Sequence, residues 1–138
     1  MPAGSMIHNK IYLLEDDPDI RTIVKLILSR DGYQVDAFEK ISDFNEQLNR
    51  EGSPDLFIMD VSLPDGNGLD LCRKLVIDKR YHFTPVIIMS AGICNEEKAR
   101  AAGARDFINK PFEMKIFLHK VDDLLHLHDG INTLARKA

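Results

Sequence analysis

Five short apolar runs punctuate the chain, at residues 11–14 (IYLL), 33–38 (YQVDAF), 56–59 (LFIM), 86–89 (VIIM) and 106–108 (DFI). Each is too short for a helix and rich in β-branched, aromatic or other large apolar residues, so each reads as a strand. The stretches between them carry apolar residues at helical spacing. After the first run Asp17 stands as a helix cap with Pro18 in the first turn, Ile20, Ile23, Val24, Ile27 and Leu28 form one stripe, and Gly32 follows as a stop. Residues 42–50, 69–78 and 96–102 read as further helices. Residues 113–127 read as a longer last one, with Ile116, Phe117, Val121, Leu124 and Leu125 on its buried stripe.

Strands separated by helices cannot pair as hairpins, so they pair in parallel, and right-handed crossovers put helices on both faces. Near-continuous apolar strands suit a sheet that is covered twice. The expectation is an α/β fold, (βα)5, with a doubly wound five-stranded parallel sheet in the order 2-1-3-4-5. Residues 7–128 make the domain. Residues 1–6 (MPAGSM) read as a leader, and residues 129–138, where the apolar stripe fades and Gly130 interrupts it, as a tail or the start of a linker.

Composition adds exclusions. The 138 residues are 44% hydrophobic and 29% charged, the balance of a globular domain with an ordinary core. Eighteen Lys and Arg against 22 Asp and Glu leave a net charge of −4, which argues against direct nucleic-acid binding. No apolar run approaches the roughly 18 residues that span a bilayer, so no membrane association is expected. Cys72 and Cys94 form neither a CxxC pair nor a disulfide framework, and two free thiols suit a reducing, cytoplasmic setting. His119, His126 and His128 lack the i, i+4 spacing of a helical ligand pair and read as solvated.

Chemistry collects where an open parallel sheet binds its ligands, beyond the carboxyl ends of the strands. The first strand runs into Glu15, Asp16 and Asp17, the third into Asp60, the fourth into Ser90 and the fifth into Asn109, Lys110 and Pro111. If Glu15, Asp16 and Asp60 converge around Lys110, two negative charges stay uncompensated, and crowded carboxylates either rise in pKa or recruit a cation. A hard divalent ion such as Mg2+ or Mn2+, bound by carboxylates and phosphate oxygens, fits that donor set. Pro64, Gly66 and Gly68 shape the loop beyond Asp60.

Taken in order, LLEDDPDIR, LFIMDVSLPDGNGLDL, PVIIMSAG and GARDFINKPF resemble the motifs of the receiver domains of two-component response regulators, from Ile11 to about Leu127. The resemblance implies the fold shared by flavodoxin and CheY-like proteins. It makes Asp60 the phosphoacceptor, and Asp16, Asp60 and the Ser62 backbone carbonyl metal ligands, with Glu15 acting through water. It also implies that Ser90 and Lys110 contact the phosphoryl group, with Ala91 leaving room beside it, that Lys110-Pro111 is cis, and that Phe107 is an aromatic switch. The partners it implies are a sensor histidine kinase or phosphotransfer protein, and an output domain or protein reading the face of helix 4, strand 5 and helix 5. A phosphorylation-dependent homodimer is a further implied assembly. Such a domain assists its own phosphorylation and dephosphorylation and is otherwise no enzyme. The short segment between Ser90 and Lys110 implies an abbreviated fourth helix.

Three other readings use some of the same residues. A haloacid-dehalogenase-type phosphatase needs a second Asp where Ser62 stands. A flavodoxin-like electron carrier needs a phosphate loop where Glu15, Asp16 and Asp17 would repel one. A binding module that is never phosphorylated has no use for acceptor, acids, hydroxyl and lysine together.

Overall fold

The computed structural model describes residues 9–92 and 94–137, with side chains as far as His126. The leader assigned to residues 1–6 lies outside them. The main sheet is built from β1 (Lys10–Leu14), β2 (Gln34–Phe38), β3 (Leu56–Asp60), β6 (Val86–Ser90) and β7 (Asp106–Asn109). All neighbours pair in parallel, in the spatial order β2-β1-β3-β6-β7, which is the expected 2-1-3-4-5 order once an inserted hairpin is counted. That hairpin, β4 (Ser62–Leu63) and β5 (Gly66–Asn67), follows β3 directly. Its two-residue strands had no apolar pattern to announce them.

Alternation along the strands splits the core in two. Ile11, Leu13, Ile58, Ile87 and Met89 face Val24 and Leu28 of α1 (Pro18–Arg30) and Phe117, Val121 and Leu125 of α5 (Met114–Lys137). On the other face Tyr12, Leu14, Phe57, Met59 and Ile88 pack with Phe44 and Leu48 of α2 (Ile41–Glu51) and with Leu71, Cys72 and Leu75 of α3 (Gly68–Ile77). Ala99 of the six-residue α4 (Glu96–Ala101) joins that cluster. Tyr12, Phe38, Phe44 and Phe57 meet there with ring centroids 5.4–6.2 Å apart.

Two helical stripes are narrower than their sequences suggest. Ile23 and Ile116 are 49% and 50% exposed, because the i, i+4 rows Val24–Leu28 and Phe117–Val121–Leu125 fill the contact and leave their preceding residues on the rim. The last helix is longer than expected. α5 continues past Gly130 to Lys137, since one glycine costs a helix only about 1 kcal/mol relative to alanine. His126 is not simply solvated: its Nε2 lies 3.2 Å from the Tyr33 hydroxyl, which also donates to Asp122. Among the described residues no helix is long and apolar enough to cross a membrane.

Candidate functional site

Each strand delivers its polar residue to the same edge. Leu14 ends β1, so Glu15 and Asp16 project just beyond it. Glu15 N donates to Phe38 O at 2.9 Å, which holds the turn against β2. The chain must then start α1, and Asp17 Oδ1 accepts from Asp19 N and Ile20 N at 2.9 and 3.1 Å. Asp60 is the last residue of β3, and its Oδ1 accepts from Ser62 N at 3.2 Å. Gly68 closes the loop by donating to Val61 O at 2.7 Å, so close to the strand that an added Cβ would stand 2.0 Å from Asp60 O. Only glycine fits there.

Glu15, Asp16 and Asp60 each bring one carboxylate oxygen within 4.8 Å of the others. Lys110, beyond the end of β7 and followed by a cis bond to Pro111, reaches back across the edge and donates to both Glu15 Oε1 and Asp60 Oδ2. Its side chain is 10% exposed, and Glu15 is fully buried. Burial raises the Glu15 carboxyl from 4.5 to about 7, with the Asp60 charge adding to the rise, while Lys110 and the Asp17 amide oppose it. For Lys110 burial pulls downward, and hydrogen bonds to Asp60 and Glu15 more than offset it, leaving the ammonium above its ordinary value. The site is thus short of positive charge even with its lysine in place.

Glu15, expected to act on a cation through water, accepts from Lys110 Nζ and from Asp17 N at 3.1 Å. Ser90 is completely buried, and its hydroxyl has no hydrogen-bond partner among the described residues. Its neighbour Ala91 is exposed. Phe107 is buried in the cluster that holds Ala99, Ala102 and Ala104, because strand alternation points it into that face. Ser62 is exposed at the rim, with its amide on Asp60.

One contributor escaped sequence reasoning. Arg21, in the first turns of α1, donates from Nη1 to the carbonyls of Glu15 and Asp16 at 2.8 and 3.2 Å. It steadies the backbone that carries the acidic pair. A cation six residues after a carboxylate pair, one turn into a capped helix, was the available signal.

Oxygen donors of this hardness, gathered around a carboxylate at a strand end, fit a divalent cation and a phosphoryl group better than a redox cofactor. The family profile of the response regulator receiver domain matches residues 11–122. The chain belongs to this family. Its relatives include the transcriptional regulatory protein GltR of Pseudomonas aeruginosa, 35% identical over 83% of this chain and 48% of that protein. The regulatory protein VanRB of Enterococcus faecalis is 37% identical over 84% and 52%. The chain therefore spans about half the length of the curated relatives it matches. Among solved structures, the non-phosphorylated HemR receiver domain of Leptospira biflexa is 35% identical, with a TM-score of 0.73 over 85% of this chain and 94% of that one. The BeF3-activated DrrB receiver domain is 31% identical, with a TM-score of 0.75 over 87% and 99%. The receiver domain is a two-component signalling module, and its acidic edge is the part of the fold that chemistry can use.

Proposed function

We propose that the receiver domain accepts a phosphoryl group on Asp60 in a Mg2+-dependent reaction, Mn2+ being able to substitute, and that the change controls an output domain or partner. The observation that carries the reading is Lys110 spanning Glu15 and Asp60, with Asp16 completing the carboxylate cluster. One Asp60 oxygen attacks phosphorus, the bond from phosphorus to the donor breaks, and its electron pair leaves with the donor. The product is an acyl phosphate, which water can later cleave. Asp16, Asp60 and the Ser62 carbonyl would hold the cation, with Glu15 behind them. The cation would supply charge neutralisation on the transferring phosphoryl. Lys110 adds a second positive centre already positioned in the resting protein. That the related DrrB receiver domain is BeF3-activated supports an activated state for this domain as well.

Phosphorylation adds about one net negative charge and new acceptor oxygens. Ser90, whose hydroxyl has no partner among the described residues, and Lys110, committed to two carboxylates, then gain interactions found in one state only. The donor is a sensor histidine kinase or phosphotransfer protein, and the reading face is α4, β7 and α5, through which a second copy can also dock. The module works in the cytoplasm and catalyses no reaction beyond its own phosphorylation and dephosphorylation. Incubation with a small phosphodonor and intact-mass measurement tests the central step. A single phosphoryl gain that requires Mg2+ and disappears in Asp60→Ala is expected, and a gain persisting in that variant or in chelator overturns the assignment.

A further inference from the structure

α2 starts without a capping side chain of its own. Lys40 occupies the cap position and makes no side-chain hydrogen bond to the first turn. The two leading amides are taken instead by Asp65, from the tip of the β4–β5 hairpin. Ile41 N donates to Oδ1 at 2.8 Å and Ser42 N to Oδ2 at 3.0 Å. One carboxylate therefore satisfies two orphan amides, one oxygen each, at the positive end of the helix dipole. Those bonds hold the Asp65 carboxyl below its ordinary value, the Ile41 amide contributing most. Gly66 completes the contact: an added Cβ there would meet Ile41 Cδ1 at 2.6 Å.

Asp65 is itself exposed, so it fills no core. What it fixes is the hairpin. With pairs only at Ser62 and Asn67 and at Leu63 and Gly66, the hairpin is far too short to hold its own shape. Its base is tied by Ser62 N on Asp60 Oδ1 and by Gly68 N on Val61 O, and its return arm by Asn67 Oδ1, which accepts from Leu69 N at 2.7 Å at the start of α3. The tip is held across the molecule by Asp65.

We propose that Asp65 is a positioning residue for the cation site, its clamp on the first turn of α2 holding the Ser62 carbonyl where the cation needs it. The proposal rests on the reading of Asp60 as a Mg2+-dependent phosphoacceptor. Mg2+ demands near-ideal octahedral geometry with oxygens at about 2.0–2.1 Å, so a carbonyl on a pivoting hairpin binds it less well than a fixed one. The β2–α2 junction thereby becomes part of the site although it contributes no ligand.

Calorimetric titration with Mg2+, well below each variant's thermal midpoint, tests this in the full chain. Asp65→Ala is expected to raise the dissociation constant about fivefold, the factor corresponding to a lost cap of ordinary strength. Asp65→Asn, which keeps one acceptor oxygen, should raise it less. Amide exchange at Ile41 and Ser42 should quicken in Asp65→Ala. Glu46→Gly weakens α2 at an exposed position away from the hairpin and should leave the affinity unchanged. An unchanged affinity in both Asp65 variants, with binding abolished in Asp60→Asn, overturns the clamp and leaves the phosphoacceptor reading standing. An equal loss in Glu46→Gly also overturns it, since helix stability alone would then account for the effect. A parent that binds no Mg2+ through Asp60 overturns both. Should Asp65→Ala fail to fold, Asp65→Asn decides.

Discussion

The backbone amide of Lys110 donates to the carbonyl of Ser90 at 2.8 Å, so the last residue of β6 and the residue just beyond β7 are joined through the main chain. Their side chains are in opposite situations. The Lys110 ammonium is committed to two carboxylates, whereas the Ser90 hydroxyl is buried with no partner among the described residues.

Truncating the two should therefore have unequal effects on stability. Ser90→Ala removes a buried hydroxyl with no hydrogen bond among the described residues and should stay within about 0.5 kcal/mol of the parent or exceed it. Lys110→Ala leaves Glu15 and Asp60 facing each other and should cost about 2–4 kcal/mol near pH 8. Urea unfolding of both variants checks the contrast. Equal stabilities would show that the lysine bridge contributes nothing at rest.

Gly68→Ala places a methyl 2.0 Å from Asp60 O, a backbone atom that cannot swing aside. The loop must move, with a loss of about 1–3 kcal/mol and a large fall in phosphoryl uptake. Gly66→Ala meets only the flexible end of Ile41 and should be milder. Thermal melts and intact-mass assays on the pair would reveal whether backbone contact or loop flexibility governs the site.

The Glu15 carboxyl, raised to about 7 from 4.5, makes stability depend on pH. Between those values the folded state retains a proton that the unfolded chain has released, so this group's contribution falls as pH rises from 4.5 through 7. In the metal-free protein, denaturant midpoints measured across that window should decline, and Glu15→Gln should flatten the slope. An identical slope in the variant would assign the dependence to other groups.

Cys72 lies fully buried in the core, and burial pushes its thiol up to about 11. Thiolate is the reactive form, so native Cys72 should resist alkylation at pH 8 and react promptly in denaturant. Peptide mapping after timed iodoacetamide treatment measures both rates. Fast native labelling would mean that α3 opens locally.

The amino-acid pattern by itself determined the five strands, their alternation with helices and their parallel pairing, because periodicity and the handedness of parallel crossovers are local and topological rules, and the order expected of such a sheet is the one observed. It also placed Glu15, Asp16, Asp60, Ser90 and Lys110 on one edge, since every strand of a parallel sheet ends on the same side. Tertiary structure alone decided how those side chains partner. That Lys110 takes Glu15 as well as Asp60, that Arg21 braces the acidic pair, and that Asp65 caps α2 from a distant hairpin all depend on how helices rotate and how closely loops approach. The exposure of Ile23 and Ile116 has the same origin. A stripe tells which side of a helix faces inward, but only packing between residues far apart in the chain settles where its rim falls and which polar groups meet across it.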